Sequence, residues 1–115
     1  MAYTTQTSKL KRARNQRRAL MRILTTHLVT RKKLHTTEAR AKAIRPFVER
    51  LVTAAKHGTL ASERQVARVL PKSATHTLVH TIAPGYAERN GGYVRITKVA
   101  PRKSDGARMA FIEFV

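Results

Sequence analysis

Tyr93-Val94-Arg95-Ile96-Thr97-Lys98-Val99 is the stretch whose period decides the fold. Val94 and Ile96 fall on one side, and Tyr93, Arg95 and Thr97 on the other. That alternation is the mark of a strand with one covered face. Arg108-Met109-Ala110-Phe111-Ile112-Glu113-Phe114 reads as a second strand. Between them, Pro101-Arg102-Lys103-Ser104-Asp105-Gly106 carries turn chemistry at Asp105-Gly106. Two such neighbours make an antiparallel hairpin. Farther upstream, Leu34-His35-Thr36-Thr37 is short and β-prone. A brief strand near 33–36 is placed to extend the hairpin into a small sheet.

Outside these stretches the period lengthens to that of helices. From about Arg17, Leu20, Ile23, Leu24, His27 and Leu28 recur at i, i+3, i+4, i+7 and i+8. Thr37 suits an N-cap, and Glu38 in the first turn suits the helix dipole. The helix it opens is predicted over 38–57, with Ala39, Ala43, Phe47, Leu51, Ala54 and Ala55 on its buried side and Gly58 as its stop. Pro46 interrupts it. Either two helices meet near Arg45 or one helix kinks, and the apolar spacing that continues past Pro46 favours the kink. A third helix fits 60–70, with Leu60, Val66, Val69 and Leu70 inward and Pro71 at its end. A fourth fits 73–83, with Ala74, Leu78, Val79 and Ile82 inward and Pro84 closing it. Helices on one face of a small, mainly antiparallel sheet make an α+β domain. We therefore expect a single compact domain of about four helices over 17–115, preceded by a basic N-terminal extension over 1–16.

Charge narrows the function. The 115 residues hold 24 Lys and Arg against 6 Asp and Glu, a formal net charge of +18. A compact chain so charged repels itself, and a polyanion relieves the repulsion. Nucleic acid is the commonest polyanion that suits a pI near 11.7. The distribution is uneven. Residues 1–37 contain Lys9, Lys11, Arg12, Arg14, Arg17, Arg18, Arg22, Arg31, Lys32 and Lys33 but no acid, the first being Glu38. Like-charge blocks act as interaction tails, so residues 1–16 are expected to become ordered on RNA; a solvated tail without a fixed partner ranks second. In the helix that follows, the arginines lie mostly off the apolar stripe. Their planar forks suit bidentate contact with phosphate. An anionic membrane surface fits less well, because neither Trp nor Phe sits on that apolar face.

Several classes fall away. No run of about 18 apolar residues occurs, and residues 1–8 lack the apolar core of a secretory signal. With no cysteine, disulfides and thiolate ligands are excluded. His76 and His80, four apart on a helix, could seat a metal, but no third ligand accompanies them, and two surface histidines are the better reading. His57 with Glu63 is a pair of titratable groups without a catalytic motif around it. No Gly-x-x-x-x-Gly-Lys-Ser/Thr loop supports nucleotide hydrolysis.

Gly91-Gly92-Tyr93-Val94-Arg95-Ile96 is the most informative segment for function. The glycine pair permits unusual backbone angles and close approach of another backbone. Tyr93 and Arg95 on one strand face could stack on a base or pack against ribose and phosphate. On residue types alone, a loop that turns into a strand with Tyr93 half-buried in the core explains the segment equally well.

In order along the chain stand Leu10-Lys11-Arg12, Arg18-Ala19-Leu20-Met21-Arg22, Thr36-Thr37, Ala41-Lys42-Ala43-Ile44-Arg45-Pro46, Glu49-Arg50-Leu51-Val52-Thr53, Ala55-Lys56-His57-Gly58, Tyr86-Ala87-Glu88-Arg89-Asn90-Gly91-Gly92-Tyr93, Arg95-Ile96 and Ile112-Glu113-Phe114-Val115. Their order and spacing over about 9–115 resemble the bacterial large-subunit ribosomal protein number seventeen family. The chain departs from that pattern at Met1-Ala2-Tyr3, Gln16, Val94 and Ser104-Asp105. The resemblance implies a structural, non-enzymatic protein that binds large-subunit rRNA near the peptide exit on the solvent side, beside neighbouring large-subunit proteins. It implies no cofactor, no metal, no membrane contact and no small-molecule substrate, and it places the protein in cytoplasmic ribosomes, with an organellar ribosome ranked second. By position, it makes Lys11, Arg12, Arg18, Arg22, Thr36, Thr37, Lys42, Arg45, Arg89, Gly91, Gly92, Tyr93 and Arg95 RNA-facing or fold-defining. The other bases of 1–37, with Arg40 and Lys98, complete the expected RNA-binding set.

The expected mechanism is phosphate contact with counterion release, with specificity from the shape of folded rRNA. The rival is an architectural DNA-binding protein, which charge alone does not exclude and for which no helix-turn-helix spacing is evident.

Overall fold

Lys32 marks the first change of direction in the chain. The computed structural model describes residues 13–115, and in it helix α1, Arg14–Arg31, ends on Lys32 in a left-handed conformation at φ 64°. Its N–H reaches back to the Leu28 carbonyl at 2.6 Å. Strand β1, Lys33–Thr37, leaves directly from this cap. The Thr37 hydroxyl then accepts from Arg40 N–H and opens helix α2, Glu38–Lys56. Glu38 at its first turn satisfies the dipole as the sequence suggests.

Helix α2 passes through Pro46 as one helix of 19 residues. Pro46 is exposed, so the carbonyl left without its helical partner can turn to water. Gly58, at φ 68°, follows the helix. Helix α3, Leu60–Ala67, opens on a reciprocal cap in which Thr59 and Ser62 each satisfy the other's backbone N–H. It is shorter than the expected 60–70, and Val69 and Leu70 lie in the turn beyond it. Helix α4, Lys72–Thr77, runs on through a wide π turn, Leu78–Ile82, and a tight 3₁₀ turn, Ala83–Tyr86. Pro84 therefore does not end the helical segment as expected. It sits at the start of the tight turn, where its missing N–H costs nothing. The coil widens just ahead of it, where a regular α-turn would drive the ring into the preceding carbonyl.

Strands β2, Val94–Val99, and β3, Met109–Phe114, form the expected hairpin. The sheet is antiparallel throughout, in the order β1-β3-β2. Ile112 pairs with Leu34 on one side and Ile96 on the other, so these three side chains share the inner face. Helix α2 covers that face, and α1, α3 and α4 pack around it. The core joins Leu28, Val29, Ile44, Val48, Val52, Val66, Leu78 and Ile112, all essentially buried. This is the α+β architecture expected, with four helices against a small sheet among the described residues.

The faces of the helices differ from expectation in phase. On α1 the buried arc is Leu24, Thr25, Leu28 and Val29, while Ile23 is 53% exposed and His27 is exposed. Thr25 tolerates burial because its hydroxyl donates to the Met21 carbonyl at 2.7 Å. On α2 the arc is Ala41, Ile44, Val48, Leu51, Val52 and Ala55. Ala39 is exposed, and Ala43, Phe47 and Ala54 are only half-buried. Leu60, expected inward, is 64% exposed. Helix α1 also starts at Arg14, so the last residues of the expected 1–16 extension are its first turn. The rest of that extension, with Lys9, Lys11 and Arg12, lies outside the described residues.

Candidate nucleic-acid interface

The phase of α1 decides where its cations go. With Leu24, Thr25, Leu28 and Val29 buried, Arg14, Arg18, Arg22 and Arg31 are exposed and Arg17 is half-buried. Arg17, Arg18 and Arg22 rim one shallow cleft with Met21, Phe47 and Val69. An adjoining cleft brings Arg22 together with Arg68 over Ile23, Thr26, His27 and Pro71. Arg68 was not among the expected residues. It caps the end of α3, and only the fold brings the turn that follows, Arg68 to Pro71, beside α1. At the other end of α1, Arg31, Lys32 and Lys33 are consecutive and exposed. Cations there also favour the negative end of the helix dipole.

A second group surrounds the start of α2. Thr36 is buried, so its side chain belongs to the sheet's inner face and is not presented to a ligand. Thr37 is held as the helix cap. The buried Glu38 carboxylate lies 3.7 Å from Lys42 and 3.7 Å from Lys98, both well exposed. Arg45 is exposed and Arg40 half-buried. A broad groove runs here between α2 and the hairpin loop, lined by Ala39, Lys42, Ala43, Pro46, Ala107 and Arg108. Arg108, whose carbonyl accepts from Glu38 N–H at 2.9 Å, joins the cationic side of this groove without having been expected there.

The third group is the loop leading into β2. Gly91 and Gly92 both take left-handed angles, φ 99° and φ 65°, which accounts for glycine at both positions. Tyr93 is 2% exposed. Its ring is therefore core, and it does not share an outward face with Arg95, whose side chain stays exposed. The Tyr93 hydroxyl donates to the Arg89 carbonyl at 3.1 Å and accepts from Lys56 Nζ at 2.9 Å. Lys56 also bonds that Arg89 carbonyl. The Lys56 hydrogen bond holds the Tyr93 hydroxyl below the ordinary tyrosine range, against the opposing effect of burial. Burial pushes neighbouring Tyr86 up, partly offset by the Arg89 charge. Arg89 donates from Nη1 to the Gly92 carbonyl at 3.1 Å. Lys56, which was not among the expected RNA-binding residues, thus fixes the loop that presents Arg89.

A surface carrying this many unpaired cations, on a fold of helices over a β1-β3-β2 sheet, can be compared with known proteins. The model of the Ribosomal protein L17 family matches residues 20–115. The chain belongs to that family. It is similar to the large ribosomal subunit protein bL17 of an Exiguobacterium species, 47% identical with both chains covered in full. The protein of the same name from Caldanaerobacter subterraneus is 47% identical over 93% of this chain and 96% of its own. That of Acholeplasma laidlawii is 44% identical over 94% and 97%. The family is one of ribosomal proteins, in keeping with the resemblance carried by Arg18–Arg22, Thr36-Thr37 and Tyr86–Tyr93.

Against this family background, the expected site residues fall into two kinds. Arg14, Arg18, Arg22, Arg31, Lys32, Lys33 and Arg45 are exposed and form no ion pair among the described residues. Lys42, Arg95 and Lys98 are exposed but tied to Glu38 or Glu113. Elsewhere, the His76 and His80 rings lie 4.5 Å apart, tilted by 44°. Among the described residues no three His, Asp or Glu side chains gather as a metal site. Glu63 lines a cleft with Lys56 and His80, outside which His57 lies.

Proposed function

We propose that this chain is a structural constituent of the large ribosomal subunit that binds and stabilises folded large-subunit rRNA, and that it has no enzymatic role. The observation that carries this is the acid-free α1. Seven cations between Arg14 and Lys33 have no acid in the same stretch; five stand on a helix whose other side is built into the core, and Lys32 and Lys33 follow at its end. Held in this way, guanidinium groups lose little further freedom when they meet phosphate. Binding releases counterions, so affinity for bare rRNA falls steeply as salt rises. Shape, read across A-form grooves and phosphates, supplies specificity. In this reading the basic segment ahead of α1 threads between RNA helices, the α+β body rests on the RNA surface, and neighbouring large-subunit proteins complete the setting in the cytoplasm. The two exposed patches, along α1 and around Lys42, Arg45 and Arg108, supply separate points of attachment. Architectural DNA binding gains no support from the relatives.

The test is sedimentation of a lysate, following the chain across the gradient before and after a high-salt wash. Co-migration with the large subunit that survives the wash is the expected result. Release into light fractions, or migration with DNA, would overturn the proposal. Removal of residues 1–16 should lower incorporation; unchanged incorporation would remove the threading role from that segment.

A further inference from the structure

The outer face of the sheet, opposite α2, carries an aromatic side chain that the fold does not use. Leu34, Ile112 and Ile96 point inward, so their strand neighbours point out. One outward row is His35, Phe111 and Thr97; the next is Lys33, Glu113 and Arg95. Phe111 stands in the middle of β3, the central strand, and is half-buried. The His35 ring lies beside it at 4.8 Å, tilted by 36°. Lys33 Nζ sits 4.3 Å above the ring centre. Arg95 meets Glu113 at 3.4 Å and remains largely exposed. The side chains of these two rows are all exposed or half-buried.

Resting on the ribosomal reading above, the geometry points to this sheet face as a stacking platform for one unpaired rRNA base, received on Phe111 with Lys33, His35 and Arg95 around it. The chemistry favours RNA over a protein partner. A protein-docking face needs a contiguous apolar centre; here the other apolar side chains of the face, Met109 and Val99, lie at one end and are buried or half-buried, which leaves Phe111 flanked on its other sides by cationic and polar groups. The one acid of the rim, Glu113, is already paired with Arg95. A half-exposed ring on a central strand, with ammonium and guanidinium groups within reach of a backbone phosphate, suits a splayed nucleotide. The Lys33 ammonium covers the ring when no base is present, and its flexible stem can swing aside to meet the phosphate. Charge also disfavours the chain's own N-terminal residues as the occupant, since they are basic.

The experiment places p-benzoylphenylalanine at position 111 of the full chain, assembles it into large subunits in cells, and irradiates the purified subunits. The expected product is a crosslink to rRNA at an unpaired nucleotide. In parallel, Phe111→Leu and Phe111→Tyr are compared. Leu should raise the chemical reactivity of that nucleotide and lower affinity for large-subunit rRNA about 5- to 50-fold, while Tyr keeps affinity within about twofold. A crosslink to another protein, to a second copy or to the chain itself, or no crosslink, overturns the platform. Equal effects of Leu and Tyr also overturn it. Sedimentation of the labelled chain separates the two ideas. If the chain enters the large subunit and no rRNA crosslink forms, only the platform fails; if it never enters, the ribosomal reading fails as well.

Discussion

Helix α1 and the β2–β3 hairpin are both basic, yet they use their charge differently. On α1, the arginines from Arg14 to Arg31 face solvent without an acid partner among the described residues. On the hairpin and the helix start beneath it, Arg95 meets Glu113, Lys98 meets Glu38, and Arg102 meets Asp105. The second set has its counter-ion supplied by the fold, and the first must find it elsewhere. Net charge alone does not distinguish the two. The difference teaches that the location of acids identifies the interface better than the location of bases. A paired cation in solvent adds little stability, whereas an unpaired one on a rigid helix is available to phosphate.

The most damaging change lies in the clasp that ties the start of β2 to the end of α2. Tyr93 is buried between Lys56, Tyr86 and the hairpin, and its backbone carbonyl accepts from Val115 N–H at 2.9 Å. Tyr93→Ala should cost about 3–5 kcal/mol through cavity and lost hydrogen bonds. Chemical denaturation measures it. At temperatures where the variant stays folded, the salt dependence of rRNA binding should be unchanged, because α1 is untouched. Next comes a direct exchange of charge. Replacing Arg17, Arg18 and Arg22 together by Gln should lower rRNA affinity roughly 10- to 100-fold and make the log–log salt slope shallower by about 2–3. The melting temperature should hardly move. The other two paired cations of the hairpin, Lys98 and Arg102, changed to Gln should leave the slope nearly as it was. Equal slopes for both variants would erase the distinction between free and paired cations.

The sequence shows the kind of each element more clearly than its facing. The hairpin, the short β1 and the cap at Thr37 were legible because alternation and capping residues are local signals. The phase of α1 was not. Leu24 and Leu28 belong to both candidate stripes, and only Thr25, able to hide its hydroxyl on the Met21 carbonyl, tips the helix toward Val29. On α2 the alanines misled because Ala suits either face, while Ile44, Val48 and Val52 carried the true stripe at helical spacing. The charge of the proposed interface was visible from residues 1–37. Arg68 and Arg108 were not, because packing of distant elements brings them to the clefts. Tyr93 illustrates the ambiguity of an aromatic after a glycine pair, and its burial resolves it. Phe111, read simply as part of a strand, is the aromatic left on the outer face.

A smaller effect sharpens the account of the clasp. Tyr93→Phe keeps the ring and removes only the hydroxyl, which accepts from Lys56 and donates to the Arg89 carbonyl, leaving the direct Lys56–Arg89 bond in place. Loss of the hydroxyl should cost about 1 kcal/mol. The amide hydrogens of 89–93 should exchange faster in this variant, while those of α1 stay as they are. Acceleration spread equally over both regions would mean that the clasp supports the whole fold and does not belong to the loop alone.

The smallest effect belongs to the hairpin loop, where charge pairing is most complete and most exposed. Asp105 accepts from Arg102 Nε at 3.0 Å and Nη2 at 2.8 Å, and from Ala107 N–H at 3.1 Å. The Arg102 hydrogen bonds, then that of Ala107, hold the carboxyl down to about 2 from its ordinary 3.8. A carboxyl with a lowered folded-state pKa stabilises its structure above its ordinary value and loses that contribution as pH falls through the folded one. The turn should therefore be intact at pH 5 and loosen between about 4 and 2, with the Asp105 carboxyl resonance titrating near the lower figure. Because the pair is exposed to solvent, salt should move this titration back toward 3.8. Asp105→Asn should abolish it without a measurable change in melting temperature. A titration that stays near 3.8 in low salt would mean that the loop does not hold this geometry in solution. The paired cations of the hairpin would then be as free to bind phosphate as those of α1.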